Sequence, residues 1–158
     1  MKKCAKKSKL YSKTNVMRKV NDILKRKGNM VSTISSNLTV IEALEQMATL
    51  NIGSLVVLDD DTFIGIFTER DYSRKVILKG RHSSNTLVGE IMTTDFPSVQ
   101  LKDSVEKCMQ LMSLHHIRYI PVIEQGKLVG IISINDVVTE TINNQQETIS
   151  QLQHYIQS

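Results

Sequence analysis

Two seven-residue stretches carry the residues best suited to chemistry. Gly65–Asp71 reads GIFTERD and Gly130–Asp136 reads GIISIND, so Gly-x-x-(Thr/Ser)-x-x-Asp occurs twice, 65 residues apart. In each, a short apolar run opened by glycine passes into a hydroxyl residue, two spacers and an aspartate. The glycine would leave strand backbone bare beside a bound group. A hydroxyl and the amides after it, at a helix start, form a ready anion site. An aspartate one turn on can accept two hydrogen bonds from a vicinal diol, as acidic residues do for ribose. Phosphate and ribose held together describe a nucleotide, with apolar strand side chains to enclose a purine. The plainer reading of Thr68 with Asp71 is a helix cap: hydroxyl to a free amide, carboxylate reaching back, acid beside the positive dipole end. That the pattern recurs in a second copy favours the first reading.

The elements that position these residues are themselves duplicated. Residues 32–71 align without gaps on 97–136, with identities at Val40/Val105, Met47/Met112, Ile52/Ile117, Val57/Val122, Gly65/Gly130, Ile66/Ile131 and Asp71/Asp136. Upstream, VNDIL (Val20–Leu24) matches VGEIM (Val88–Met92) at an offset of 68. A repeated unit of this size is one supersecondary block that cannot cover its own faces. Each unit is predicted to hold a short leading helix, a brief strand at Ile34 or Val99, a helix, a hairpin and a final helix. In TVIEALEQMATLN, Val40, Ala43, Leu44, Met47 and Leu50 recur at helical spacing, and Thr39 with Glu42 forms a capping box. SVEKCMQLMSLHH is its counterpart. SLVVL–FIGIFT and YIPVI–LVGIIS are joined by the turn-sized links DDDT and EQGK, so each pair reads as a hairpin. The β-α-β-β-α order predicts an α/β (α+β) fold of two lobes packed through their sheets.

Composition limits the rest. The 158 residues are 41% hydrophobic and 23% charged, ordinary for a globular chain, with no Trp and few other rings for nucleic-acid stacking. The net charge of +4 is local: residues 1–19 hold eight Lys/Arg and no acid, leaving 12 basic against 16 acidic residues elsewhere. The expected layout is a basic arm (1–15), a first repeat (16–79), a linker (80–87), a second repeat (88–142) and a C-terminal helical extension (143–158). The arm reads as a solvated tail, with nucleic-acid or membrane contact as the alternative. No apolar run has the length of a membrane span or the form of a signal-peptide core. Cys4 and Cys108 match no metal or redox spacing, so free thiols in a reducing compartment are expected: the cytoplasm, or an organellar matrix. Cys108 reads as packing.

The motifs carry a family resemblance. VGEIMTTDFPSV, IRYIPVIEQGKLVGIISINDVV and GIFTERDYSRKV resemble the tandem cystathionine-β-synthase-type (CBS) domain pairs of standalone two-domain proteins, over roughly residues 16–142. The resemblance implies a pseudo-twofold pair with two clefts, a disc-shaped homodimer and adenosine-type ligands, AMP first, with ADP, ATP, S-adenosylmethionine or NAD as others. It implies a regulatory role without catalysis and an unidentified regulated partner. By position, one cleft would use Ile66, Thr68 and Asp71 with Pro97, Ser98, Val99, His116, Ile117 and Arg118. The other would use Ile131, Ser133 and Asp136 with Thr33, Ile34, Asn51, Ile52 and Gly53. Arg118 offers phosphate a forked donor where Gly53 offers nothing, so the Asp71 cleft is expected to bind the phosphorylated ligand more tightly.

The other candidates are weaker. His115 and His116 are adjacent on a helix and point to different faces, with no Cys or His cluster beside them, so no metal is expected. Arg70 and Arg74 could reach a phosphate or a partner subunit, or form a solvated face. Pro121 reads as a strand-edge proline on an exposed cleft rim. A nucleotide-hydrolysing enzyme would need a positioned base or metal that the sequence does not offer. Val138, Ile142, Gln145, Ile149, Leu152 and Ile156 alternate at spacings of four and three, a seam that could pair with a second copy.

Overall fold

The computed structural model describes residues 17–158; the basic arm at 1–15 lies outside them. The order is α1 (Val20–Lys27), β1 (Thr33–Ile34), α2 (Val40–Leu50), β2 (Ser54–Asp59), β3 (Thr62–Thr68), the short turn α3 (Glu69–Asp71), α4 (Val88–Ile91), α5 (Val105–His115), β4 (Tyr119–Glu124), β5 (Lys127–Ser133) and α6 (Ile134–Gln157). After α3 the backbone continues as a π-helical stretch (Tyr72–Val76) and a 3-10 turn (Ile77–Lys79). The fold is α+β, and the two units repeat the same plan.

Both hairpins are built alike. In β2–β3, Asp59 pairs with Thr62 across Asp60 and Asp61; in β4–β5, Glu124 pairs with Lys127 across Gln125 and Gly126. All four turn residues have positive φ, the two-residue turn whose twist suits a hairpin. Each hairpin then slips register by one residue, between Val57 and Leu58 and between Val122 and Ile123. This is a bulge that leaves Ile64 or Val129 as the extra residue, next to the motif glycine.

The first sheet has three strands, with β1 parallel to β2; the second has two, with Val99 making a single parallel bridge to Val122. Pro121 explains the difference. In the first lobe the Val56 amide donates to the Ser32 carbonyl at 3.0 Å. The position equivalent to Val56 is Pro121, which has no N–H to offer, so the companion strand shrinks to a bridge. Pro121 is buried within β4 rather than on an exposed rim, and its carbonyl accepts from the Val99 amide at 3.1 Å.

Two cores form, and the leading helices trade places between them. Val20, Ile23 and Leu24 of α1 pack with Val105, Cys108, Ile120 and Ile132 of the second lobe. Val88 and Ile91 of α4 pack with Val40, Met47, Leu55 and Phe67 of the first. Backbone hydrogen bonds follow the same exchange. The amides of Val20 and Asn21 donate to Asp103 and Leu101, and those of Val88 and Gly89 to Leu38 and Ser36. Residues of the expected linker cap α2, where the amides of Val40 and Ile41 donate to the carbonyls of Thr86 and Ser83. Arg18 and Lys19 belong to this body: Arg18 pairs with Glu147, and Lys19 precedes α1 and bridges Ser104. Among the described residues no helix is long and apolar enough to cross a membrane.

Candidate functional site

Each motif lies where a hairpin hands over to a helix. The Asp71 amide donates to Thr68 Oγ1 at 3.1 Å, while Asp71 Oδ2 accepts from the Thr68 amide at 2.9 Å and from Thr68 Oγ1 at 2.8 Å. Ser133 and Asp136 repeat this reciprocal cap, with distances of 3.2, 2.8 and 2.9 Å. The capping reading of the motif is therefore realised in both copies.

The glycines do a different task from the one the sequence suggests. A Cβ on Gly65 would lie 2.7 Å from Met92 Sδ and 3.0 Å from the Thr93 carbonyl oxygen, and one on Gly130 would lie 2.9 Å from Leu24 Cδ2. Both admit the exchanged leading helix of the opposite lobe rather than a bound group. At Gly65 the approach is also a pairing: the Ile66 and Thr93 amides donate to each other's carbonyls at 2.9 and 2.8 Å.

A cleft of about 420 Å³ opens over Asp71, within the usual range for small-molecule sites of roughly 300–1,000 Å³. Ile66, Thr68 and Asp71 form one wall and Ile117 and Arg118 the facing one, as expected from the sequence. Pro97, Ser98, Val99 and His116 are not part of its lining. Thr93 and Phe96 take that place, a few residues earlier in the same segment. Val99 is buried and committed to its bridge with Val122. His116 closes α5 in the left-handed region, and its carbonyl accepts from Arg70 Nη1. Phe96 stacks obliquely on Phe63, with ring centroids 5.4 Å apart, and gives this cleft an aromatic wall.

A second cleft of about 300 Å³ opens over Asp136. Ile131, Ser133 and Asp136 meet Asn51, Ile52 and Gly53 there as expected, joined by Lys27, Val31 and Ser32. Thr33 and Ile34 do not line it; they border a separate depression beside Asp60 and Asp61. The reason is again pairing, since Thr33 and Ile34 are the two residues of β1 and are taken up by Val56 and Val57. Gly53 and Tyr119 line both clefts, and a Cβ on Gly53 would fall 2.4 Å from the Tyr119 hydroxyl. Burial raises the Tyr119 pKa, and the negative charge of Glu69 adds to that.

The two carboxylates differ in what they still have to offer. Asp71 is 6% exposed, and its Oδ1 accepts from Thr93 Oγ1 and from Lys75 Nζ, both at 2.8 Å. Asp136 Oδ2 takes its cap bonds and the Lys27 ammonium at 2.7 Å. Among the described residues its Oδ1 accepts no hydrogen bond. Burial pushes the Asp136 carboxyl up, but the Lys27 bond and the Ser133 amide outweigh this and hold it below the ordinary value of 3.8. Sequence reasoning missed both lysines, because a lysine in a charged run reads as a solvated one. Arg74 and Arg118 reach the Asp71 cleft with no acidic partner among the described residues. No cluster of three or more His, Cys, Asp or Glu suited to a metal occurs among those residues.

Comparison with known proteins gives one answer. The family model described as CBS domain matches residues 16–77 and 88–142. A mitochondrial CBS domain-containing protein of Arabidopsis thaliana, CBSX3, is 37% identical over 147 residues, covering 87% of this chain and 71% of its own. A solved CBS-domain protein from Burkholderia ambifaria is 44% identical, with a TM-score of 0.76 over 80% of this chain and 96% of that one. The CBS domain pair of protein MJ0100, solved with 5′-methylthioadenosine and S-adenosyl-L-methionine, is 23% identical, with a TM-score of 0.66 over 82% of this chain and 98% of that one.

Proposed function

Because this chain belongs to the CBS-domain family, as a tandem pair of repeats, we propose that it is a non-catalytic regulatory module that binds an adenosine-type nucleotide, AMP first, in the Asp71 cleft. The carrying observation is the convergence of Arg74 and Arg118, both without acidic partners among the described residues, on a cleft with an aromatic wall and a carboxylate floor. Guanidinium forks suit phosphate, Phe96 and Ile66 suit a purine, and Asp71 suits the ribose diol. Asp71 Oδ1 already accepts from Lys75 and Thr93, so a diol that donates to it competes with those two bonds, while Lys75 keeps its bond to the Ile91 carbonyl. The MJ0100 pair lends its likeness at the level of fold alone.

The Asp136 cleft is smaller and has Val31 where the other has Phe96; it takes an uncharged adenosyl group or stays empty. Binding alters output only if the ligand prefers one arrangement of the lobes. That arrangement is read by a second copy or by another protein, in the cytoplasm or an organellar matrix. Calorimetric titration of the full chain with AMP, ADP, ATP and S-adenosylmethionine tests the reading. AMP is expected to bind, and Arg118→Ala to weaken it tenfold or more, about 1.4 kcal/mol. Asp136→Ala is expected to leave this cleft's affinity within about twofold. No heat with any of the four ligands, or an unchanged Arg118→Ala titration, rejects the proposal.

A further inference from the structure

α6 carries two stripes of opposite character. Val137, Glu140 and Asn144 turn towards the protein's own body. Val137 sits in the second core, Glu140 is buried between Arg18 and Arg26, and Asn144 accepts from Arg18. On the neighbouring stripe, Val138, Ile142, Ile149, Leu152 and Ile156 are between 46% and 81% exposed. The stripe that meets the body is mostly polar and the apolar one is open. From Ile149 onwards every residue of α6 is exposed. A stretch of that length with no surface to lean on is marginal in water.

We infer that α6 pairs with α6 of a second copy, parallel and in register. The seam places Ile142, Ile149 and Ile156 at one heptad position and Val138, Gln145 and Leu152 at the other. Isoleucine fills the first position throughout, and leucine, which beside it favours two parallel strands, holds the second at Leu152, with Val138 and Gln145 there in the other heptads. The flanking positions Thr139, Thr141, Gln146, Thr148, Gln153 and Tyr155 carry no charge. An identical helix therefore meets no repulsion there, and neither an acidic nor a basic partner is selected.

Gln145 fixes the register. Opposite its own copy, each carboxamide offers the other a donor and an acceptor. Slipped by one heptad it would face Val138 or Leu152, and in an antiparallel pair spanning the whole seam it would face Ile149, leaving a buried amide unsatisfied.

Oxidative cross-linking of the full chain tests the geometry. In a Cys4→Ser background, which leaves only the buried Cys108, Gln145→Cys is expected to convert to a covalent dimer. Ser150→Cys, off the seam, is expected to stay monomeric on a non-reducing gel. Adding Ile149→Asp with Leu152→Asp to the Gln145→Cys chain is expected to abolish the cross-link; both positions are exposed, so the fold itself is retained. A Gln145→Cys chain that cross-links no better than Ser150→Cys overturns the inference. So does a cross-link that survives the two aspartates. A chain that sediments as a monomer at tens of micromolar overturns it as well.

Discussion

Lys27 is the residue that couples the Asp136 motif to the rest of the molecule. It stands at the end of α1, so the ion pair with Asp136 at 2.7 Å ties a leading helix to the start of α6. Because the folded carboxyl titrates below 3.8, its contribution to stability is present above that pH and is lost as pH falls through the folded value. Asp136→Asn is therefore expected to cost about 1–2 kcal/mol at pH 7, where a charged hydrogen bond is lost. The gap to wild type should close on acidification below 3.8. Urea unfolding at both pH values measures it; a gap that is constant with pH contradicts the assignment. At this scale the caps were legible, because hydroxyl and carboxylate lie three residues apart. Lys75, four residues after Asp71, lay within reach of a local rule, but the distant partners did not, since Lys27 is 109 residues from Asp136 and Thr93 is 22 from Asp71. No local pattern brings such pairs together.

Among the elements, the hairpins were the easiest to anticipate and the segments before the brief strands the hardest. Alternation and turn chemistry are local, whereas whether Pro97–Val99 or Thr93–Phe96 faces a cleft depends on which residues pairing consumes. The glycines show how separate such causes are. Gly126 lies at φ 76° with open space around it, so Gly126→Ala meets only backbone strain, about 1 kcal/mol for a left-handed alanine. Gly65→Ala would press on Met92 and the Thr93 carbonyl, for which overpacking costs of about 1–3 kcal/mol are usual. Urea midpoints are expected to fall further for Gly65→Ala. Only that variant should also weaken nucleotide binding, through Thr93 in the cleft wall. Equal midpoints, or equal affinities, would mean that the leading helix yields to the methyl group. Cys108 is the quiet counterpart: burial pushes its thiol up to about 11, as its reading as packing implies.

For the whole molecule, the exchange of α1 and α4 matters more than either lobe. Each core is completed by a helix that precedes the other lobe, so neither core can be lost while the other stays intact. The full chain is expected to unfold in a single transition, with backbone circular dichroism and Tyr fluorescence giving the same midpoint in urea. Two separated transitions would refute the coupling. This arrangement was invisible in the repeat alignment, which pairs each leading helix with its own unit. Sequence order says which block a helix precedes, not which core it completes.

The exchange has a consequence for how such a molecule could have arisen. Two separate copies of one half, each lending its first helix to its twin, would close both cores by the same contacts. Joining the two copies end to end would turn a concentration-dependent association into an intramolecular one. It would also free the once-identical grooves to diverge, one towards arginine and phenylalanine, the other towards glycine and valine.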